Sequence, residues 1–144
     1  MMRILAIDDD NGYLRILRRY FAAAGHTVET AETGGEGTKM AAELAPDVVL
    51  LDYMLPDMTG ADVLDALLSM KETRLIPVIL ISGRNFDAEE QARLKTCRNL
   101  KRLMEKPVLL RDVLREAAQL PRPAPVREQR SAGLPRMSAG GLEP

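Results

Sequence analysis

The chain has 144 residues, 46% hydrophobic and 28% charged, with a formal net charge of −1; this describes one ordinary globular domain plus a tail, large enough to bury its own core. The near-zero charge excludes a global electrostatic footprint for nucleic acid or an anionic membrane. The single cysteine, Cys97, excludes an internal disulfide and a cysteine-only zinc site.

The predicted elements alternate from the start. Ile4-Leu5-Ala6-Ile7 is a fully apolar run that stops at Asp8-Asp9-Asp10, which predicts a short buried strand. From Asn11 to Ala24, the apolar residues Leu14, Leu17, Phe21 and Ala24 share one helical face, with Arg15, Arg18 and Arg19 outside it. Gly25-His26 ends that helix. Thr27 to Ala31 alternates and is rich in β-branched residues, so it reads as a second strand. Thr33-Gly34-Gly35 leads into a helix through Met40, Ala41 and Leu44, stopped at Ala45-Pro46.

The third strand, Val48 to Leu51, ends on a carboxylate, Asp52, and Pro56 and Gly60 then force an irregular loop. A third helix is predicted from about Ala61 to Met70, with Val63, Leu64, Leu67 and Leu68 inward. Pro77 to Ile81 is a fourth apolar strand ending on Ser82-Gly83, and Asp87 to Glu90 opens a fourth helix with acids suited to its positive end. Asn99 to Met104 is the weakest strand pattern, ending on Glu105-Lys106-Pro107, and a last helix runs from about Leu110 to Gln119. Five such units with short connections predict an α/β fold: a doubly wound five-stranded parallel sheet with helices on both faces. After Leu120, prolines, glycines and arginines replace the apolar periodicity, so 121–144 is expected to be a disordered tail or linker remnant beside a domain at 1–120. No apolar stretch reaches the roughly 18 residues of a membrane span, and Met1-Met2-Arg3 runs into a strand without a signal-peptide layout, so the expected location is cytoplasmic.

Parallel strands place their carboxyl ends at one sheet edge, where open α/β sheets carry their chemistry. Here those ends carry Asp8 and Asp9, Asp52, Ser82 and, near the fifth, Lys106. Singly, each has an ordinary explanation as a helix cap, a solvated strand end or a surface lysine. Together they form a set: crowded carboxylates repel and call for a hard cation with oxygen ligands, Mg²⁺. A hydroxyl and an ammonium aimed at the same point suit phosphoryl oxygens.

This set, Ile7-Asp8-Asp9, Leu51-Asp52, Leu55-Pro56-Asp57-Met58-Thr59-Gly60, Ile81-Ser82-Gly83 and Glu105-Lys106-Pro107, resembles the receiver domain of two-component response regulators over about Arg3 to Leu120. The resemblance implies a flavodoxin-like strand order 2-1-3-4-5 and a phosphoacceptor signalling domain rather than an enzyme. It implies Asp52 as phosphoacceptor and Mg²⁺ held by Asp8, Asp9, Asp52 and the backbone carbonyl of Met54. Ser82 becomes the switch hydroxyl and Lys106 the phosphoryl contact. The implied partners are a sensor histidine kinase or phosphotransfer protein and a downstream protein target. A homodimer through the helix 4–strand 5–helix 5 face is left open, no membrane attachment is expected, and Arg122, Arg127, Arg130 and Arg136 of the tail are too weak a signal to predict direct nucleic-acid binding.

The chain departs from the family pattern at Leu103 and over Lys95 to Arg102, which replaces the family's common small-residue turn before strand 5, and two variable positions, Met54 and Arg84, flank the site. Receivers commonly carry an aromatic residue three positions before the lysine; here it is Leu103, so the usual coupling is absent or is taken over by packing of Leu103. Met54 and Arg84, two residues after Asp52 and Ser82, offer no group that orients water, which predicts slow loss of the phosphoryl group. Two alternatives are carried. One is a phosphorylation-independent binding module on a receiver scaffold. The other is a Mg²⁺-dependent haloacid-dehalogenase-type phosphatase using Asp8-x-Asp10, against which Gly12 stands where that motif expects Thr or Val. Cys97 and His26 have no metal-ligand spacing and read as structural.

Overall fold

The apolar runs become five strands: β1 (Arg3–Ile7), β2 (Thr27–Ala31), β3 (Val48–Asp52), β4 (Val78–Ser82) and β5 (Leu100–Glu105). Five helices alternate with them: α1 (Asn11–Ala23), α2 (Gly34–Leu44), α3 (Gly60–Ser69), α4 (Ala88–Lys95) and α5 (Leu110–Gln119). The computed structural model describes residues 1–123. The expected tail therefore lies, from residue 124 on, outside the described residues. Among those described, no helix is long and apolar enough to cross a membrane.

All strand pairings are parallel, in the order β2-β1-β3-β4-β5. This is the doubly wound, flavodoxin-like order expected. Parallel neighbours cannot be joined by a hairpin, so each connection carries a helix across a sheet face. The central strands are consequently buried on both sides, and Ile4, Leu5, Ile7, Val49, Leu51, Ile79 and Leu80 are essentially inaccessible. One core layer packs Leu5, Ile7, Val49, Leu51 and Leu80 with Val63, Leu64 and Leu67 of α3; the other packs Ile4, Leu50, Ile79 and Ile81 with Leu14, Leu17 and Phe21 of α1 and Val113 of α5.

The helix starts are chemically specified. Thr59 and Asp62 form a reciprocal capping box on α3, and Asp87 and Glu90 form another on α4. Asp87 is thus the cap of α4 rather than its first residue. β5 begins at Leu100 and includes Glu105, one residue later than the pattern suggests, because Asn99 is a buried turn residue whose Nδ2 donates to the Leu64 carbonyl at 3.2 Å. Ala24, expected on the inner face of α1, is exposed: it is the C-cap, where the chain leaves the helix.

The register aligns the polar ends. Ile7 pairs with Leu51, Asp52 with Ile81 and Ser82 with Glu105, so Asp8, Asp52, Ser82 and Lys106 all meet one edge.

Candidate functional site

Asp8 follows the last apolar residue of β1 and is only 5% exposed. A buried carboxylate needs partners. Its Oδ1 accepts a hydrogen bond from the Asp10 amide at 2.9 Å, and its Oδ2 faces Lys106 Nζ at 3.5 Å. Asp10 in turn caps α1, accepting from the Tyr13 amide at 3.1 Å. The acidic turn is thereby tied to the start of the first helix.

Asp52 closes β3, and its Oδ1 also lies 3.5 Å from Lys106 Nζ. Carboxylate oxygens of Asp8, Asp9 and Asp52 all lie within 4.8 Å of one another. Asp9 is the exposed member. Burial and the neighbouring Asp8 charge push the Asp52 carboxyl above its ordinary range, against the opposing pull of Lys106. For Lys106, burial works to lower its value, but the Asp8 and Asp52 charges outweigh it and hold the ammonium protonated.

A stability prediction follows from Asp52. A carboxyl whose folded value is raised contributes stability below the unfolded carboxylate range, and loses it as pH rises through the folded value. Asp52→Asn imitates the protonated form at every pH. In chelator at pH 7 it is expected to raise the thermal midpoint by about 4 °C, roughly 1 kcal/mol, and the advantage should shrink on acidification. An unchanged or lower midpoint at pH 7 would contradict the charge crowding.

The loop after Asp52 is built to fold back on the strand end. Met54 bridges Thr59, the Leu55 amide donates to the Met58 carbonyl at 3.1 Å, and the Gly60 amide donates to the Tyr53 carbonyl. A Cβ at Gly60 would stand 3.0 Å from both Tyr53 Cα and Leu80 Cδ1, so this close return needs glycine. Asp57 reaches away from the site and accepts from the Gly34 and Gly35 amides at 2.8 and 2.9 Å, capping α2 from another loop.

Ser82 is buried at the end of β4, its carbonyl accepting from the Lys106 amide at 3.0 Å and its Oγ accepting from the Arg84 amide at 3.3 Å. The structure thus clusters Asp8, Asp9 and Asp52, sets Lys106 against Asp8 and Asp52, and stations Ser82 on the adjacent strand end. Arg84 grips Glu90 through both terminal guanidinium nitrogens, at 2.8 and 3.3 Å, and its Nη1 lies 3.9 Å from Met54 Sδ. Its guanidinium carbon stands 5.2 Å from the Tyr53 ring centroid and 5.6 Å from that of Phe86.

Packing of Leu103 in place of the family's aromatic is not found. Leu103 is 54% exposed, because β5 is an edge strand with alternating burial and position 103 falls on its outer side. Cys97 is buried and free, and His26 Nδ1 accepts from the Met2 amide at 2.9 Å, in keeping with structural roles. Sequence reasoning missed Tyr13, whose ring lies 5.4 Å from Lys106 Nζ. Its position one turn into α1 was the available signal, but only the fold reveals that the turn faces the lysine.

The model of the response regulator receiver domain family matches residues 4–118. The transcriptional regulatory protein KdpE of Mycobacterium tuberculosis is 42% identical over 90 residues, which cover 62% of this chain and 38% of that protein. Protein PilH of Pseudomonas aeruginosa is 34% identical over 90 residues, covering 62% of this chain and 74% of PilH. The chain thus spans little more than a third of the length of the KdpE regulator it resembles. Among solved structures, a CheY-like receiver domain protein from Methanospirillum hungatei superposes with a TM-score of 0.75 at 27% identity, covering 83% of this chain and 92% of the other. With its strand order, its acidic edge and these relatives in agreement, the chain belongs to the response regulator receiver domain family.

Proposed function

We propose that this chain accepts a phosphoryl group on the Asp52 carboxylate from the phosphohistidine of a sensor histidine kinase or phosphotransfer protein, and so changes its affinity for a downstream partner. The observation that carries the reading is one ammonium, Lys106 Nζ, placed 3.5 Å from both Asp8 and Asp52 beside a three-carboxylate cluster at an open sheet edge. The family is a phosphoacceptor signalling domain, not a classical enzyme. A cytoplasmic location goes with this reading.

Receiver domains bind Mg²⁺ at an acidic pocket. The donor set here fits: three carboxylate oxygens span no more than 4.8 Å, near the roughly 4.2 Å between opposite ligands of octahedral Mg²⁺. Asp8, Asp9, Asp52 and the Met54 carbonyl would hold the ion, which supplies neutralisation of negative charge. The chain does the rest. An Asp52 oxygen attacks phosphorus in line as the phosphorus–nitrogen bond of the donor histidine breaks. Lys106 neutralises charge on the transferring oxygens. Ser82 gives up the Arg84 amide and donates its hydroxyl to a phosphoryl oxygen, biasing a two-state equilibrium of the β4–α4 region. On the α4–β5–α5 face, Leu103 and Leu109, 54% and 56% exposed, supply apolar contact points for a target or a second copy.

The test is to incubate the full chain with Mg²⁺ and acetyl phosphate and follow its intact mass. One phosphoryl adduct, mapped to Asp52 and abolished by chelator, is expected. No adduct despite Mg²⁺ binding would overturn the reading. The same time course measures lifetime. Arg84 is committed to Glu90 and Met54 presents a thioether, so neither orients a hydrolytic water. Decay is expected over many minutes; completion within seconds would refute the role given to this pair.

A further inference from the structure

Tyr13 occupies the first turn of α1, where its amide donates to Asp10 Oδ1, and the Asp10 amide donates to Asp8 Oδ1. The backbone that carries its ring is therefore tied to the acidic cluster through two hydrogen bonds. Lys106 Nζ stands 5.4 Å from the ring centroid, within cation–π range. Its two contacts with Asp8 and Asp52, at 3.5 Å each, sit at the outer limit of hydrogen bonding. The carboxylates alone thus hold the ammonium loosely, and the ring supplies a third side. The lysine nitrogen lies over the ring, and among the described residues the buried Tyr13 hydroxyl makes no hydrogen bond. Burial, then the charges of Asp8, Asp52 and Asp10, push that hydroxyl up to about 12, keeping the ring neutral.

We propose that Tyr13 is a positioning residue of the phosphoryl site, its ring serving as the platform that aims the Lys106 ammonium at Asp52. The inference rests on the receiver reading of that site. A flexible lysine confined in this way approaches the transferring oxygens without first losing its rotamer freedom.

The experiment compares Tyr13→Phe and Tyr13→Leu, each alone and with Lys106→Ala, by the initial rate of adduct formation with acetyl phosphate and Mg²⁺. Tyr13→Phe keeps the platform and is expected within about twofold of wild type. Tyr13→Leu removes it and is expected about fivefold slower, the scale of one partly exposed cation–π contact. In the Lys106→Ala background, Tyr13→Leu should have no further effect. Equal rates for Tyr13→Leu and wild type would overturn the proposal, as would an equal loss with and without Lys106. A second readout is independent of chemistry: the ring-current shift of the Lys106 ε-methylene protons, present in wild type and Tyr13→Phe and lost in Tyr13→Leu. Its absence in wild type overturns the platform. Its presence in a wild type that forms no adduct overturns the receiver reading and leaves the contact standing.

Discussion

Asp52→Ala is expected to form no phosphoryl adduct under conditions in which the wild-type chain is modified stoichiometrically. Asp52 is the carboxylate that ends the central strand, touches the lysine and belongs to the acidic cluster. Asp8 is buried with one oxygen engaged by the Asp10 amide, and Asp9 makes no described contact with Lys106. On the proposed reading, Asp52→Ala removes the nucleophile rather than weakening it, and the more deeply buried Asp8 is not expected to take over. The measurement is intact mass with and without chelator. It also separates the other readings. Turnover of a phosphate monoester that survives Asp52→Ala but not Asp8→Ala would point to the phosphatase. Equal partner affinity of wild type and Asp52→Ala, with and without phosphodonor, would point to the phosphorylation-independent module.

Lys106→Ala is expected to slow adduct formation about 100-fold while leaving the fold intact. The magnitude is that of removing one fixed donor from developing negative charge in a reacting site. The direction follows from geometry: among the described residues, Lys106 is the cation in contact with both Asp8 and Asp52. With it gone, the crowded carboxylates repel the incoming phosphoryl group more strongly. Its backbone would still be held, because the Lys106 amide donates to the Ser82 carbonyl in the β4–β5 region. Pseudo-first-order rates at several phosphodonor concentrations decide the matter. A rate within about threefold of wild type would mean that the ammonium does not act on the transferring group.

Much of the fold was legible because its determinants are local. Apolar runs of β-branched and aliphatic residues that stop on charge announce buried parallel strands, as at Ile4 to Ile7 and Val48 to Leu51. The starts of α3 and α4 were legible to within one residue, whereas the roles of Thr59 and Asp87 as their caps came from the structure. β5 was harder to place, since an edge strand with burial on alternate residues lacks the continuous apolar run of β3. The alternative in which packing of Leu103 takes over from the family's aromatic fails for the same reason, and the alternative of absent coupling stands. Which side of an edge strand faces the core depends on register with β4, and that register slips between Val78 and Ile79.

The candidate site divides in the same way. From the sequence alone came the residue types and their stations at strand ends: Asp8, Asp9, Asp52, Ser82 and Lys106. These follow from chain direction, since parallel strands must bring their carboxyl ends to one edge. Distances, burial and cross-chain contacts came only from tertiary structure. It closes Lys106 onto Asp8 and Asp52 from 98 and 54 residues away, buries Asp8 while leaving Asp9 exposed, and turns Tyr13 toward the lysine. It also commits Arg84 to Glu90 beside a pair of aromatic rings. Local chemistry determines which groups reach the edge; how they meet depends on the packing of α1 and β5 against strands distant in sequence.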